Sequence, residues 1–192
     1  SFVSKYQIDQ DPVYRLPENV AAFAGRMSVT RGKITIGAEY AYKINDPSST
    51  NKFIYKPGEA LLLTAAYSRK GLGISLGAKR IDNMNFRSDR TATLNNLNLN
   101  YLPALTKQHT YQLAAFYPYA TQPNGEMGIQ GEVIYNFKPE SMLGGAYGTN
   151  VTINYSRANS IDSLKLKDEM GYQSDFFKIG KRLYFQDFNI EI

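Results

Sequence analysis

Cysteine and tryptophan are absent from this 192-residue chain, and histidine occurs once, at His109. Without cysteine there are no disulfides and no thiolate metal sites, an absence compatible with an oxidising envelope compartment. A single histidine excludes a histidine metal cluster built within the chain. No run of about 18 apolar residues exists, which excludes a membrane-spanning helix but not a membrane-spanning strand. The opening residues Ser1-Phe-Val-Ser-Lys5 lack the charged and apolar regions of a signal peptide. The expectation is a leader already removed, or an internal piece of a longer protein. The net charge is +5, yet no lysine–arginine cluster interleaves with aromatic rings as a nucleic-acid groove requires. No nucleic-acid partner is expected; the basic residues read as membrane flanks and loops.

What the chain does have is alternation. Lys33 to Lys43 reads Lys-Ile-Thr-Ile-Gly-Ala-Glu-Tyr-Ala-Tyr-Lys. One parity is apolar (Ile34, Ile36, Ala38, Tyr40, Tyr42) and the other polar or small. At about 3.3 Å per residue this run is about 36 Å long. Tilted by roughly 45°, it crosses a hydrocarbon layer about 25 Å deep. Similar runs cover 20–30, 33–43, 59–68, 71–80, 93–102, 109–117, 126–137, 144–156 and 182–192, with a weaker one at 2–8. The connections alternate between short (Arg31-Gly32, Arg69-Lys70, 103–108, 138–143) and long (44–58, 81–92, 118–125, 157–181). Transmembrane barrels show this asymmetry between periplasmic turns and outer loops. The fold class expected is all-β: an antiparallel up-and-down transmembrane β-barrel, about nine or ten strands in one domain, as a fragment of a larger barrel. The competing form is a closed ten-stranded barrel in which 2–8 pairs with 182–192.

Register tests the hairpins. A turn at Arg31-Gly32 sets Phe23 opposite Tyr40, Met27 opposite Ile36 and Arg26 opposite Gly37. A turn at Arg69-Lys70 pairs Leu63 with Leu76, Ala65 with Ile74 and Thr64 with Ser75. Apolar meets apolar in both, as a two-faced sheet requires.

The polar parity supplies the expected lumen-facing set: Arg26, Lys33, Glu39, Lys43, Lys79, Asn96, Asn98, Asn100, Gln130, Glu132, Asn150, Thr152 and Asn154. Arg26 and Glu39 fall as diagonal neighbours able to form an ion pair. Lumenal charges, with Glu126 included, nearly balance, so they define no ion selectivity. Aromatic rings fall near both strand ends. Tyr40, Tyr42, Tyr117 and Tyr155 lie towards the loops, with Tyr67, Tyr101, Tyr135 and Phe137 towards the turns. Two such girdles suit a membrane interface, where a ring sits in lipid and a hydroxyl in water.

Catalytic chemistry finds little material. His109 starts a strand beside the short turn Thr106-Lys107-Gln108, on the expected periplasmic side, where outer-membrane barrel proteases do not carry their active groups, and it reads as an interfacial strand end. The loop carboxylates Asp82, Asp89, Asp162, Asp168, Glu169 and Asp175 match no calcium-loop spacing. Gly71-Leu-Gly-Ile-Ser-Leu-Gly77 alternates along a strand and does not open a helix, so it is not a phosphate loop. No enzyme activity, cofactor or metal is expected.

Four segments carry a family resemblance. They are Tyr55-Lys-Pro-Gly-Glu-Ala-Leu-Leu-Leu-Thr-Ala-Ala-Tyr-Ser68, Ala78-Lys-Arg-Ile-Asp-Asn-Met-Asn-Phe-Arg-Ser88, Asn100-Tyr-Leu-Pro-Ala-Leu-Thr-Lys-Gln-His-Thr-Tyr111 and Tyr117-Pro-Tyr-Ala-Thr-Gln-Pro-Asn-Gly-Glu126. Across residues 33–156 the chain resembles a porin-like outer-membrane β-barrel family of unknown function from Bacteroidota. The resemblance implies a bacterial outer-membrane location and carries no catalytic residues. The function expected is a pore or transporter for small solutes; the alternative is a structural subunit of an outer-membrane secretion or uptake assembly. Outer-membrane lipid is the expected partner, with other outer-membrane or periplasmic proteins in the second case.

Overall fold

The structure, a computed structural model, describes residues 1–9, 11–92, 96–109, 118–167 and 170–192. Among these, eight strands form one antiparallel sheet in sequence order, an up-and-down meander. They are β1 (Phe2–Tyr6), β2 (Asn19–Arg31), β3 (Ile34–Lys43), β4 (Gly58–Arg69), β5 (Leu72–Asp82), β6 (Gly125–Phe137), β7 (Thr149–Lys165) and β8 (Tyr172–Glu191). A single 3-10 turn at Ser49–Asn51 is the helical exception. The sheet is open, because β1 pairs with β2 alone and β8 with β7 alone. The closed ten-stranded form is therefore not what these residues build.

Both two-residue turns sit one position later than the alternation suggests. They are Gly32-Lys33 and Lys70-Gly71. Gly32 has φ 60° and Gly71 φ 79°, a left-handed backbone that glycine adopts without a Cβ penalty. Moving a turn by one residue moves every partner by two. Arg26 thus faces Glu39, Phe23 faces Tyr42 and Met27 faces Ala38. In the next hairpin Leu63 faces Ala78, Ala65 faces Leu76 and Thr64 faces Gly77. A shift of two leaves each side chain on its original face. Faces survive; partners change.

The larger departure is between β5 and β6. Residues 83–124 form no strand among their described members, apart from an isolated bridge between Arg87 and Asn98. The run expected at 93–102 is irregular over 96–102, and 93–95 lies outside the described residues. Of the run at 109–117, residues 110–117 are likewise outside them. Instead, the described parts of this segment fold onto the polar-parity face of the sheet, the inner face. A second departure is the 157–181 loop, which is the far half of the β7–β8 hairpin. Register shifts between Ala158 and Asn159, Asn159 and Ile161, and Ile161 and Ser163 explain why alternation hides it. Each bulge breaks the period of two.

Burial is inverted relative to a water-soluble sheet. Ile36 and Leu76 on the apolar parity are each 57% exposed, and Ile34, Leu63, Ile129, Val133 and Ile153 are exposed as well. On the inner face Glu126 and Asn154 are 0% exposed, and Lys79, Thr152, Ser156 and Asp187 are buried. The small buried apolar core includes Leu16, Val20, Ile81, Met84 and Phe86, of which the last three line the space between β1–β5 and the inserted segment.

Candidate functional site

The inner face and the segment 83–124 together make the candidate site. Over β1–β5 the inward residues are small or apolar. Val3, Ala22, Ala24, Ala41, Ala60, Leu62 and Ile81 face Met84, Phe86, Leu99, Leu102 and Pro103 around a cavity of about 390 Å³. Alanine at four of these positions leaves depth that larger side chains would fill. At the loop end of this region Lys5 Nζ lies 2.8 Å from Asp46 Oδ2, and Lys43 Nζ donates to Asn85 O at 2.5 Å. Arg90 Nη2 donates to Pro17 O at 2.6 Å. The Lys5 pair ties β1 to the β3–β4 loop, and the other two bonds fasten the start of the insertion to β3 and to the loop before β2.

The join between the two regions is Lys79. Its Nζ donates to Pro103 O at 2.7 Å and to Thr121 Oγ1 at 2.6 Å, and lies 2.8 Å from Glu126 Oε1. Glu126 Oε2 accepts from Tyr119 Oη at 2.5 Å and from Gln122 N at 2.8 Å. Burial, reinforced by the bond to Glu126, raises the Tyr119 phenol above its ordinary range. Tyr119 is thus held as a neutral donor. A buried carboxylate is tolerated when this well satisfied; stripped of partners, it is not.

Over β6–β8 the inner face is polar. Lys107 Nζ lies 3.4 Å from Glu132 Oε2 and 3.1 Å from Glu191 Oε2. His109 Nε2 is 2.7 Å from Asp187 Oδ2, and its Nδ1 is 3.2 Å from Asn189 Nδ2. Asn154 Nδ2 donates to Glu132 Oε2 at 3.3 Å and Ser156 Oγ to Asn154 Oδ1 at 3.0 Å. Leu105 lies over Gly77, where an added Cβ would meet its methyls at 3.4 Å.

The expected lumen set divides accordingly. Lys43, Lys79, Gln130, Glu132, Asn150, Thr152 and Asn154 occupy inner-face strand positions, with Asn150 Nδ2 donating to Asn136 Oδ1 at 2.7 Å. Arg26 and Glu39 do pair, Nε to Oε2 at 2.9 Å, directly opposite one another, with Arg26 exposed and Glu39 half-buried. Lys33 is a correction: it belongs to the turn, because Gly32 draws the turn forward. Asn96, Asn98 and Asn100 are also corrections, since they sit in the insertion and not on a wall strand. There Asn96 O accepts from Arg87 Nη1 at 2.9 Å and Asn100 Nδ2 donates to Met84 O at 2.7 Å. Their spacing mimics a strand, but their bonds are made within the insertion itself.

Of the aromatic set, Tyr40 and Tyr42 lie in the loop half of β3, and Tyr67, Tyr135 and Phe137 near the turn ends of β4 and β6. Tyr155 is a correction, because β7 runs on to Lys165 and leaves it mid-strand opposite Gly131. Tyr101 is another: it projects from the insertion into solvent. Tyr117 lies outside the described residues. Sequence reading passed over Lys107, Asp187 and Asn189, and read His109 only as a strand end. The cue available was their placement: a lysine and a histidine on a short segment, and three polar residues of one parity closing the chain. Among the described residues no group of three His, Asp or Glu side chains could hold a metal ion.

An open up-and-down sheet whose polar face is occupied by its own inserted segment defines the structural class. The chain belongs to the family of unknown function DUF6029, whose family model matches residues 1–192. No curated protein and no solved structure matches it.

Proposed function

We propose that this chain is wall and inner plug of a bacterial outer-membrane β-barrel that passes small solutes through a gated, not a freely open, interior. The observation that carries the reading is the inverted burial: isoleucines and leucines exposed on one face, carboxylates and amides buried on the other. A water-soluble sheet gains stability by the opposite arrangement, whereas a barrel in lipid requires this one. Tyrosines near strand ends and the resemblance to porin-like outer-membrane families support the same placement. The inserted segment supports gating, because it covers inner-face positions a diffusion channel would leave to water. No catalytic role is proposed for His109, whose two ring nitrogens are spent on Asp187 and Asn189.

Spin labels at Ile36, Leu76, Ile129 and Val133 should respond to a lipid-soluble quencher, and labels at Glu39, Gln130 and Thr152 should not. Equal response from both sets would sink the membrane placement. Single-channel recording on the full-length protein separates the two functional readings. Brief, infrequent openings that lengthen when Lys107 is replaced by Met support the gated pore. A silent protein that co-purifies with envelope partners supports the structural subunit, for which the occupied interior is the favouring observation.

A further inference from the structure

The β7–β8 hairpin does not continue straight. Its register shifts lengthen β8 relative to β7, and Gly180 permits the resulting close approach. A Cβ there would lie 2.4 Å from Ile161 O and 2.2 Å from Ser160 Oγ. The bent end of the hairpin leans over the outer face of β4–β6 and is latched there. Asp82 accepts from Lys56 Nζ at 2.5 Å, Arg80 Nη2 at 3.1 Å and Ser174 Oγ at 2.5 Å, and from Tyr172 Oη. Tyr55 N also donates to Met170 O at 2.8 Å.

Between this overhang and the sheet lies a cleft of about 390 Å³. Leu63, Met127 and Ile129 form part of its floor, and Phe176, Phe177 and Ile179 line the overhanging side. Phe177 is 86% exposed, although it is positioned by an edge-on contact with Phe176 at 5.0 Å. Two guanidinium groups, with Asn159 beside them, enter a largely apolar space. Arg80 lies 4.6 Å from the Phe176 ring centre, and its Nε is buried without an acceptor. Its charge is shared with Asp82 and, at 3.5 Å, Glu59. Arg157 is exposed and makes no ion pair among the described residues; its Nε donates to Asn159 Oδ1 at 2.9 Å. The lipid-facing side of the proposed barrel therefore carries a latched apolar slot with an uncompensated cation at its edge.

We infer that this cleft binds one anionic lipid, an acyl chain lying between Phe177 and the sheet and the negatively charged head group meeting Arg157. The inference rests on the membrane placement proposed above. A zwitterionic lipid fills the slot equally well with its chain but brings an internal cation to the arginine. An apolar protein segment satisfies the slot and leaves Arg157 unpaired. Selectivity by head-group charge is thus the property that marks the site.

The absence of tryptophan makes a clean test available, since one introduced indole reports alone. Phe177→Trp places it at the cleft, and Val133→Trp places it on open outer face. Each variant of the full chain is reconstituted in phosphatidylcholine nanodiscs containing either brominated phosphatidylglycerol or brominated phosphatidylcholine at equal fraction. The cleft indole should be quenched about fivefold more effectively by the anionic lipid, the roughly 1 kcal/mol of one cation beside an anionic head group. The open-face indole should be quenched equally by both. Arg157→Gln and Asn159→Asp should each abolish the preference, and Arg157→Lys should keep it. An open-face indole that neither lipid quenches overturns the membrane placement. An open-face indole quenched by both, beside a cleft indole without preference, overturns this inference and leaves the placement standing. A preference that survives both Arg157→Gln and Asn159→Asp overturns the role of the arginine.

Discussion

The two ends of the inner face hold the same inserted segment by opposite chemistry. Under β1–β5, alanines and leucines pack against Met84, Phe86 and Leu102, and the polar bonds gather at the loop end. Under β6–β8, Lys107 and His109 reach Glu132, Glu191, Asp187 and Asn189. Both sets share one parity and one face. Apolar packing is non-directional and tolerates sliding; charge-assisted bonds fix position and respond to salt. The early part of the insertion is thus anchored by bulk, and the part around 103–109 by pins that can be withdrawn singly.

The sharpest way to break that contrast is Phe86→Ala, which empties the apolar half and should cost about 4 kcal/mol in equilibrium unfolding. Lys79→Met strands the buried Glu126 and should cost about 3 kcal/mol, much of it recovered by adding Glu126→Leu. Failure of the double variant to recover would mean that Lys79 acts through Pro103 and Thr121 instead. Lys107→Met should cost about 1 kcal/mol globally. A spin label at Ala104 should then become mobile while one at Ser88 stays restrained. Equal loosening at both sites would merge the two halves into one unit. Arg26→Met, which breaks an exposed pair, should cost about 0.5 kcal/mol or less.

The smallest effect concerns pH. The Asp9 carboxyl is held below its ordinary value chiefly by the bond it accepts from the Leu16 backbone N–H, then by that from Asp11. A depressed carboxylate contributes above its unfolded value and loses that contribution as pH falls through its folded value. Amide shifts of Leu16 and Asp11 should therefore stay constant from neutral pH down to the ordinary aspartate range and move together below it. Movement above that range would show that another group controls the loop.

Much of the wall was legible, because a period of two survives everything except a bulge. Ile34, Ile36, Leu63 and Leu76 lie on the apolar parity that the sequence predicts, even though both hairpin turns were misplaced by a residue. Glycine at a left-handed φ settled those turns, and alternation carries no information about φ. The insertion was not legible. Asn96, Asn98 and Asn100 alternate with Leu97, Leu99 and Tyr101, so local pattern alone makes a strand of them. The difference is tertiary: β5 already has β4 and β6 as neighbours, so the chain leaving β5 finds no free edge beside it. Val3 is the converse case. The run at 2–8 alternates weakly because an apolar Val3 falls on the polar parity, yet at that corner the inner face is apolar and Val3 lines the cavity.

The position of the insertion also sets an order of events. β2–β3 and β4–β5 close through two residues each and can zip locally, on the timescale of hairpins. The β5–β6 ladder, Leu72 with Tyr135 through Asp82 with Gly125, must instead bring its strands together across residues 83–124. Loop closure grows only about 0.6 kcal/mol costlier for each doubling of length, so the penalty is less in stability than in search time. Until β6 arrives, Lys79 has no Glu126 to meet, and the polar seat for Lys107 and His109 does not exist. The segment can dock its apolar start early, but its second half must wait for the sheet to grow past it. In kinetic terms the inserted segment is the last piece to settle: β6 brings Glu126 and Glu132, and β8 then brings Asp187, Asn189 and Glu191.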